Sequence, residues 1–79
     1  METRAFVLIE TAVGRTKEVV SALRDMEGGA SVDGVTGPYD IIAVLSAPDL
    51  NSVGDVVTSR VHTVPGIVRT VTCLAVPSP

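Results

Sequence analysis

Tryptophan is absent from this 79-residue chain, and phenylalanine, tyrosine, histidine and cysteine occur once each. So thin an aromatic content leaves no platform on which bases could stack. Basic residues are also few: 6 Lys plus Arg against 9 Asp plus Glu give a formal charge of −3. The chain therefore lacks the cationic footprint with which nucleic-acid binders neutralise phosphates, and direct DNA binding is not expected. The lone Cys73 has no partner for an internal disulfide, which suits a reducing cytoplasm. His62 and Cys73, distant in sequence, make no metal site, and nothing calls for a cofactor. No apolar run approaches the ~20 residues of a membrane-spanning helix, and Met1-Glu2-Thr3-Arg4 has no signal-peptide layout, so no membrane association is expected. No glycine-rich loop precedes a helix, since Gly14 stands alone and Gly28-Gly29 follows a helical segment.

What is present is β-branched. Hydrophobic residues reach 46 %, and 15 Val, 4 Ile and 8 Thr favour sheet over helix. Residues 4–12 read as a strand bounded by Gly14. Residues 15–26 read as a helix, with Val19, Ala22, Leu23 and Met26 on one face, Thr16 as N-cap and Gly28-Gly29 as its stop. A more polar second strand is expected over 30–36, then a turn at Gly37-Pro38. The third strand is expected over 39–46. A second helix opens at Ala47-Pro48-Asp49 and presents Leu50, Val53, Val57, Val61 and Val64 inward, weakened by Gly54. Pro65-Gly66 ends it, a fourth strand follows over 67–76, and Pro77-Ser78-Pro79 is left as a tail. The order βαββαβ in a single domain over residues 1–79 is the α+β, ferredoxin-like arrangement: a four-stranded antiparallel sheet with two helices on one face.

Two helices cover one side of such a sheet, and the other side should then be polar. Here it is not. Phe6 and Leu8 oppose Val7 and Ile9; Ile42 and Val44 oppose Ile41, Ala43 and Leu45. In the last strand Ile67, Val71, Cys73 and Ala75 are expected to oppose Val68, Leu74 and Val76. An apolar second face asks for a cover, and a second copy of the chain provides it through a two-fold, sheet-on-sheet dimer. A standard interface of about 800 Å² per partner matches such a face.

Groups suited to catalysis are scarce. His62 near the end of the second helix is placed to meet C-terminal carbonyls, and Cys73 in mid-strand is expected to act as a small hydrophobe. The polar residues that stand out lie at strand ends: Asp40 beside the Gly37-Pro38 turn, and Thr70 and Thr72, two apart and so on one face. An amino acid ligand offers an ammonium that Asp40 could accept and a carboxylate that threonine hydroxyls and turn N–H groups could bind. The same residues could equally cap a turn and fill a strand.

Two segments carry a family resemblance. Gly37-Pro38-Tyr39-Asp40-Ile41 resembles the glycine-x-aromatic-aspartate turn, and Val64-Pro65-Gly66-Ile67-Val68-Arg69-Thr70-Val71-Thr72 the proline-glycine-valine opening with alternating threonines, of the effector-binding (RAM) domain of Lrp/AsnC regulators. The resemblance covers about residues 4–76. It implies a dimer through open sheet faces, rings of eight or ten subunits, and a small effector, usually an amino acid, between neighbouring dimers. By position, Gly37, Tyr39 and Asp40 match the turn lining that pocket, and Thr70 and Thr72 match threonines facing it. The segment Glu27-Gly28-Gly29-Ala30 departs from the family's turn after the first helix. Full-length relatives carry an N-terminal helix-turn-helix, whereas here the first strand is expected almost at Met1. The expectation is thus a stand-alone effector domain that modulates full-length regulators by co-assembly. Two alternatives share the element order. One is an ACT-like amino-acid-binding domain, with Gly14 at the turn before the first helix. The other is a small dimeric α+β barrel enzyme, for which His62 would have to face an enclosed cavity.

Overall fold

In the computed structural model, which describes residues 3–25 and 29–76, the expected order of elements is present. The strands are β1 (Thr3–Thr11), β2 (Gly29–Gly34), β3 (Ile41–Ala47) and β4 (Ile67–Leu74), and the helices are α1 (Thr16–Arg24) and α2 (Leu50–Val56). They form one antiparallel sheet in the order β2-β3-β1-β4, with apolar β1 and β3 in the centre. The helices pack over β1, β2 and β3, burying Ala5, Val7, Ile9, Ile41, Ala43 and Leu45 against Val19, Leu23, Val53, Val57 and Val61. The fold is therefore α+β and ferredoxin-like. Met26, the Glu27-Gly28 part of the departing loop and the tail at 77–79 lie outside the described residues.

Several local expectations are corrected. Arg15, not Thr16, is the N-cap of α1, without a side-chain capping bond. Thr16 instead shares a 2.8 Å hydrogen bond with Thr11 at the end of β1. The helix ends at Arg24, where the guanidinium donates to the Val32 carbonyl of β2 at 3.0 Å. In α2, Asp49 caps the helix by accepting from the Ser52 N–H at 2.8 Å, but Leu50 is 57 % exposed rather than inward. The helix does not run evenly to Val64: from Val57–Val61 it widens into a π turn, and the His62 N–H reaches back five residues to the Val57 carbonyl at 2.9 Å. That widened turn still buries Val57 and Val61.

The last strand departs most. Between Glu10 and Thr11 its register with β1 shifts, so that Arg69 faces Glu10 while Ile67 faces Thr11. Val68 is the extra residue of this bulge. The bulge turns Ile67 toward the helices, where it packs on the core, instead of onto the side of Val71 and Cys73. Strand alternation then places Arg69, Val71 and Cys73 on the open side, opposite Glu10, Leu8 and Phe6. Thr70, Thr72 and Leu74 share the helix side with Ile9, Val7 and Ala5. Among the described residues no helix packs over the end of β4, and residues 71–74 are exposed.

Candidate functional site

One end of the sheet gathers most of the expected site residues. There β1 ends, β3 begins and β4 begins: Ile9 is flanked by Ile41 on one side and Thr70 on the other. The turn at 37–40 is held to this end by its own backbone, since the Asp40 N–H donates to the Ile9 carbonyl at 2.9 Å and the Asp40 carbonyl accepts from Val35 at 2.8 Å. Gly37 has φ +149, which L side chains rarely adopt.

Asp40 is half-buried and joined to Thr11: its Oδ2 accepts from the Thr11 N–H at 2.8 Å and from the Thr11 hydroxyl at 3.2 Å. Because that hydroxyl donates to the carboxylate, Thr16 must be the donor in the Thr11–Thr16 pair. The chain Thr16→Thr11→Asp40 thus ties the turn to the start of α1. Oδ1 accepts no hydrogen bond among the described residues.

Tyr39 reaches across to β4. Its hydroxyl accepts from the Arg69 guanidinium at 2.7 Å, and the guanidinium carbon lies 5.4 Å from the ring centroid. A cation over an aromatic face is itself attractive. Arg69 also approaches Glu10 at 3.8 Å. Two hollows flank this link. On the open side, residues 35–39 together with Leu8 and Ile42 line an open, mostly apolar hollow of about 460 Å³. On the helix side, His62 and residues 67–70 border a hollow of about 350 Å³. Thr70 lines the second hollow. Gly37 and Tyr39 line the first, and Thr72 sits one pleat further along, opposite Val7. A single chain therefore brings Gly37, Tyr39, Asp40 and Thr70 to one end of the sheet but not into one cavity.

Sequence reasoning missed the fastening of Asp40 to Thr11 and two further contacts. The Arg69–Tyr39 pair joins residues 30 apart, and no local pattern signals it. His62 was expected to turn to helix carbonyls, but its Nε2 lies 2.9 Å from the Thr70 hydroxyl and its side chain is exposed. Cys73 is exposed on the open side opposite Phe6, not a buried hydrophobe. Among the described residues no group of three or more His, Cys, Asp or Glu could hold a metal ion, and no helix is long and apolar enough to cross a membrane. Gly14, the residue on which the ACT-like alternative turned, has φ +78 and open space around it.

Comparison with known proteins agrees with this architecture. The sequence model of the Lrp/AsnC ligand-binding domain matches residues 4–79. No curated protein matches. Among solved structures, TTHA0845 from Thermus thermophilus is 37 % identical, with a TM-score of 0.90 over 100 % of this chain and 98 % of that one. E. coli AsnC shares the fold with a TM-score of 0.90 at 17 % identity, the match covering 98 % of this chain and 52 % of AsnC. The Neisseria meningitidis transcriptional regulator NMB0573, solved as its L-Met complex, shares it with a TM-score of 0.84 at 16 % identity over 95 % of this chain and 50 % of that one. With the family's sequence pattern running through nearly all of its length and the fold to match, this chain belongs to the Lrp/AsnC ligand-binding domain family.

Proposed function

We propose that the chain is an amino-acid-sensing regulatory module that works as a homo-oligomer and performs no catalysis. The observation that carries this reading is the meeting of opposite recognition chemistries at one end of the sheet. Asp40 offers an ammonium a carboxylate oxygen that accepts no hydrogen bond among the described residues, and the Thr70 hydroxyl stands beside His62 for a carboxylate. Gly37 and Tyr39 shape the turn that carries Asp40, and Thr72 extends the threonine face along β4. That these groups lie on either side of the sheet fits a pocket completed by a neighbouring subunit, with the effector between dimers. NMB0573 was solved with L-Met, so an amino acid of that size is a fitting first ligand to try.

The open face supports self-association. Phe6, Leu8, Ile42 and Val44 are only half-buried there, with Val71 38 % exposed beside them. A second copy covering this face gives the dimer, and dimers arranged as an octamer or decamer would bring turn and threonines from different subunits together. Effector binding would then shift the assembly, or its choice of partner among full-length Lrp/AsnC regulators, through unequal affinity for two states. The net charge of −3 and the lone free thiol of Cys73 accord with a cytoplasmic module that does not bind DNA directly. Against an enzyme, the one imidazole is exposed rather than enclosed.

Calorimetric titration with each of the twenty amino acids tests the sensing role. Saturable binding of at least one, lost in Asp40→Ala with the fold retained, is the expected result. No heat from any of them at millimolar concentration would reject sensing and leave only the assembly role.

A further inference from the structure

Two departures from regular structure meet at the hollow beside Thr70. The π turn at Val57–Val61 lengthens the last turn of the second helix and delivers His62. The bulge at Val68 re-aims the start of β4 and delivers Thr70. Each interrupts a regular hydrogen-bond ladder, and each type of irregularity is over-represented at functional sites. They are separated by the Pro65-Gly66 turn, where Gly66 has φ +97 and a Cβ would lie 3.1 Å from Val19 and 3.2 Å from Arg15. Helix, turn and strand are thus locked together behind the hollow, and the contact that results is His62 Nε2 to Thr70 Oγ1 at 2.9 Å.

We infer that His62 is a positioning residue of the effector site: its Nε2–H donates to the Thr70 oxygen, so that the Thr70 hydroxyl proton is turned outward to the carboxylate of a bound amino acid. The inference rests on the sensing role proposed above. A threonine hydroxyl has one proton to give. Were Nε2 the acceptor, that proton would be spent on the imidazole and the ligand carboxylate would face lone pairs. With Nε2 as donor, the imidazole fixes the hydroxyl in the direction an anion needs. The hollow of about 350 Å³, bordered by His62, Ile67, Val68, Arg69 and Thr70, takes the carboxylate end of the ligand.

The test uses the intact protein and the amino acid that binds it best in the twenty-member titration. His62→Ala should weaken that amino acid about tenfold or more, the scale of losing a hydrogen bond to a charged group. His62→Gln, whose amide NH₂ can stand where Nε2–H stood, should recover most of the loss. In a Thr70→Val background His62→Ala should cost nothing further, because its only route to the ligand has gone. Melting temperature and oligomeric state should stay at wild-type values, since the ring is exposed. Unchanged affinity in His62→Ala overturns the inference while the sensing role stands. So does an equal loss in the Thr70→Val background. A ligand-free measurement adds an independent check: imidazole ¹⁵N shifts should identify Nε2 as the protonated nitrogen of neutral His62, and protonation at Nδ1 would overturn the assignment. If the wild-type protein binds no amino acid, the sensing role fails first and this inference with it.

Discussion

On the helix side of the sheet Val7, Ile9 and Ile41 are wholly buried, whereas on the opposite side their neighbours Phe6, Leu8 and Ile42 keep part of their surface in water. The two sets are of the same chemical kind and alternate along the same strands. What separates them is the supply of cover: the two helices among the described residues both lie on one side. A domain of this size buries a smaller share of its surface than a larger one does, and an apolar face left bare is a contact surface in waiting. The covered face accounts for the fold. The bare one accounts for the proposed assembly, and through it for the proposed pocket between subunits.

The sharpest way to break the contrast is to place a charge on each side in turn. Leu8→Asp should leave the helices and their core intact but weaken self-association about a thousandfold, because a two-fold interface meets the change twice at about 2 kcal/mol each. Sedimentation velocity reads the shift, and an undiminished assembly would show that this face is not the interface. On the covered side, Ile9→Ala should cost about 3 kcal/mol of folding stability in denaturant titration, the scale of a fully buried large-to-small change. A cost below about 1 kcal/mol would mean that the core tolerates a void there. A smaller effect is expected from Gly66→Ala, which demands a left-handed backbone from an L residue beside Val19 and Arg15. About 1–2 kcal/mol should be lost, and the entry of β4 should loosen with it, seen as faster amide exchange at Ile67.

The smallest effect concerns the start of α2. The Asp49 carboxyl is held below its ordinary value of 3.8, first by the Ser52 backbone N–H and then by the Ser52 side chain. A carboxyl lowered on folding contributes fully above its unfolded value and is lost as pH falls through the lowered one. Asp49→Asn keeps the cap but not the titration. Circular dichroism during acid titration should therefore show wild-type helix content falling toward that of Asp49→Asn at the acid end. A constant gap between the two curves at all pH values would contradict the assignment.

Much of the fold was legible because strands and helices here obey their own periods. The unbroken apolar runs of residues 5–9 and 41–45 mark the central strands, and the spacing Val53, Val57, Val61 marks the buried stripe of the second helix. Boundaries moved by a residue or two, as helix and strand ends do. What the pattern did not reveal came from contacts between distant segments. Ile67 changed sides because a bulge opposite Glu10 and Thr11 lets it join the core, and Leu50 turned outward at the first helical position. At the site, the sequence singled out Gly37, Tyr39, Asp40, Thr70 and Thr72. It gave no sign that Arg69 would clasp Tyr39, that Asp40 would be fastened to Thr11, or that His62 would face Thr70. Each of those pairs depends on which strands become neighbours, and periodicity along one segment carries no information about its partner.

The most direct measurement is the mass of the wild-type protein in solution by sedimentation equilibrium at micromolar concentration. The account predicts a dimer or an even multiple of it, with a melting temperature that rises with protein concentration. A well-folded monomer under those conditions, its melting temperature independent of concentration, would contradict it.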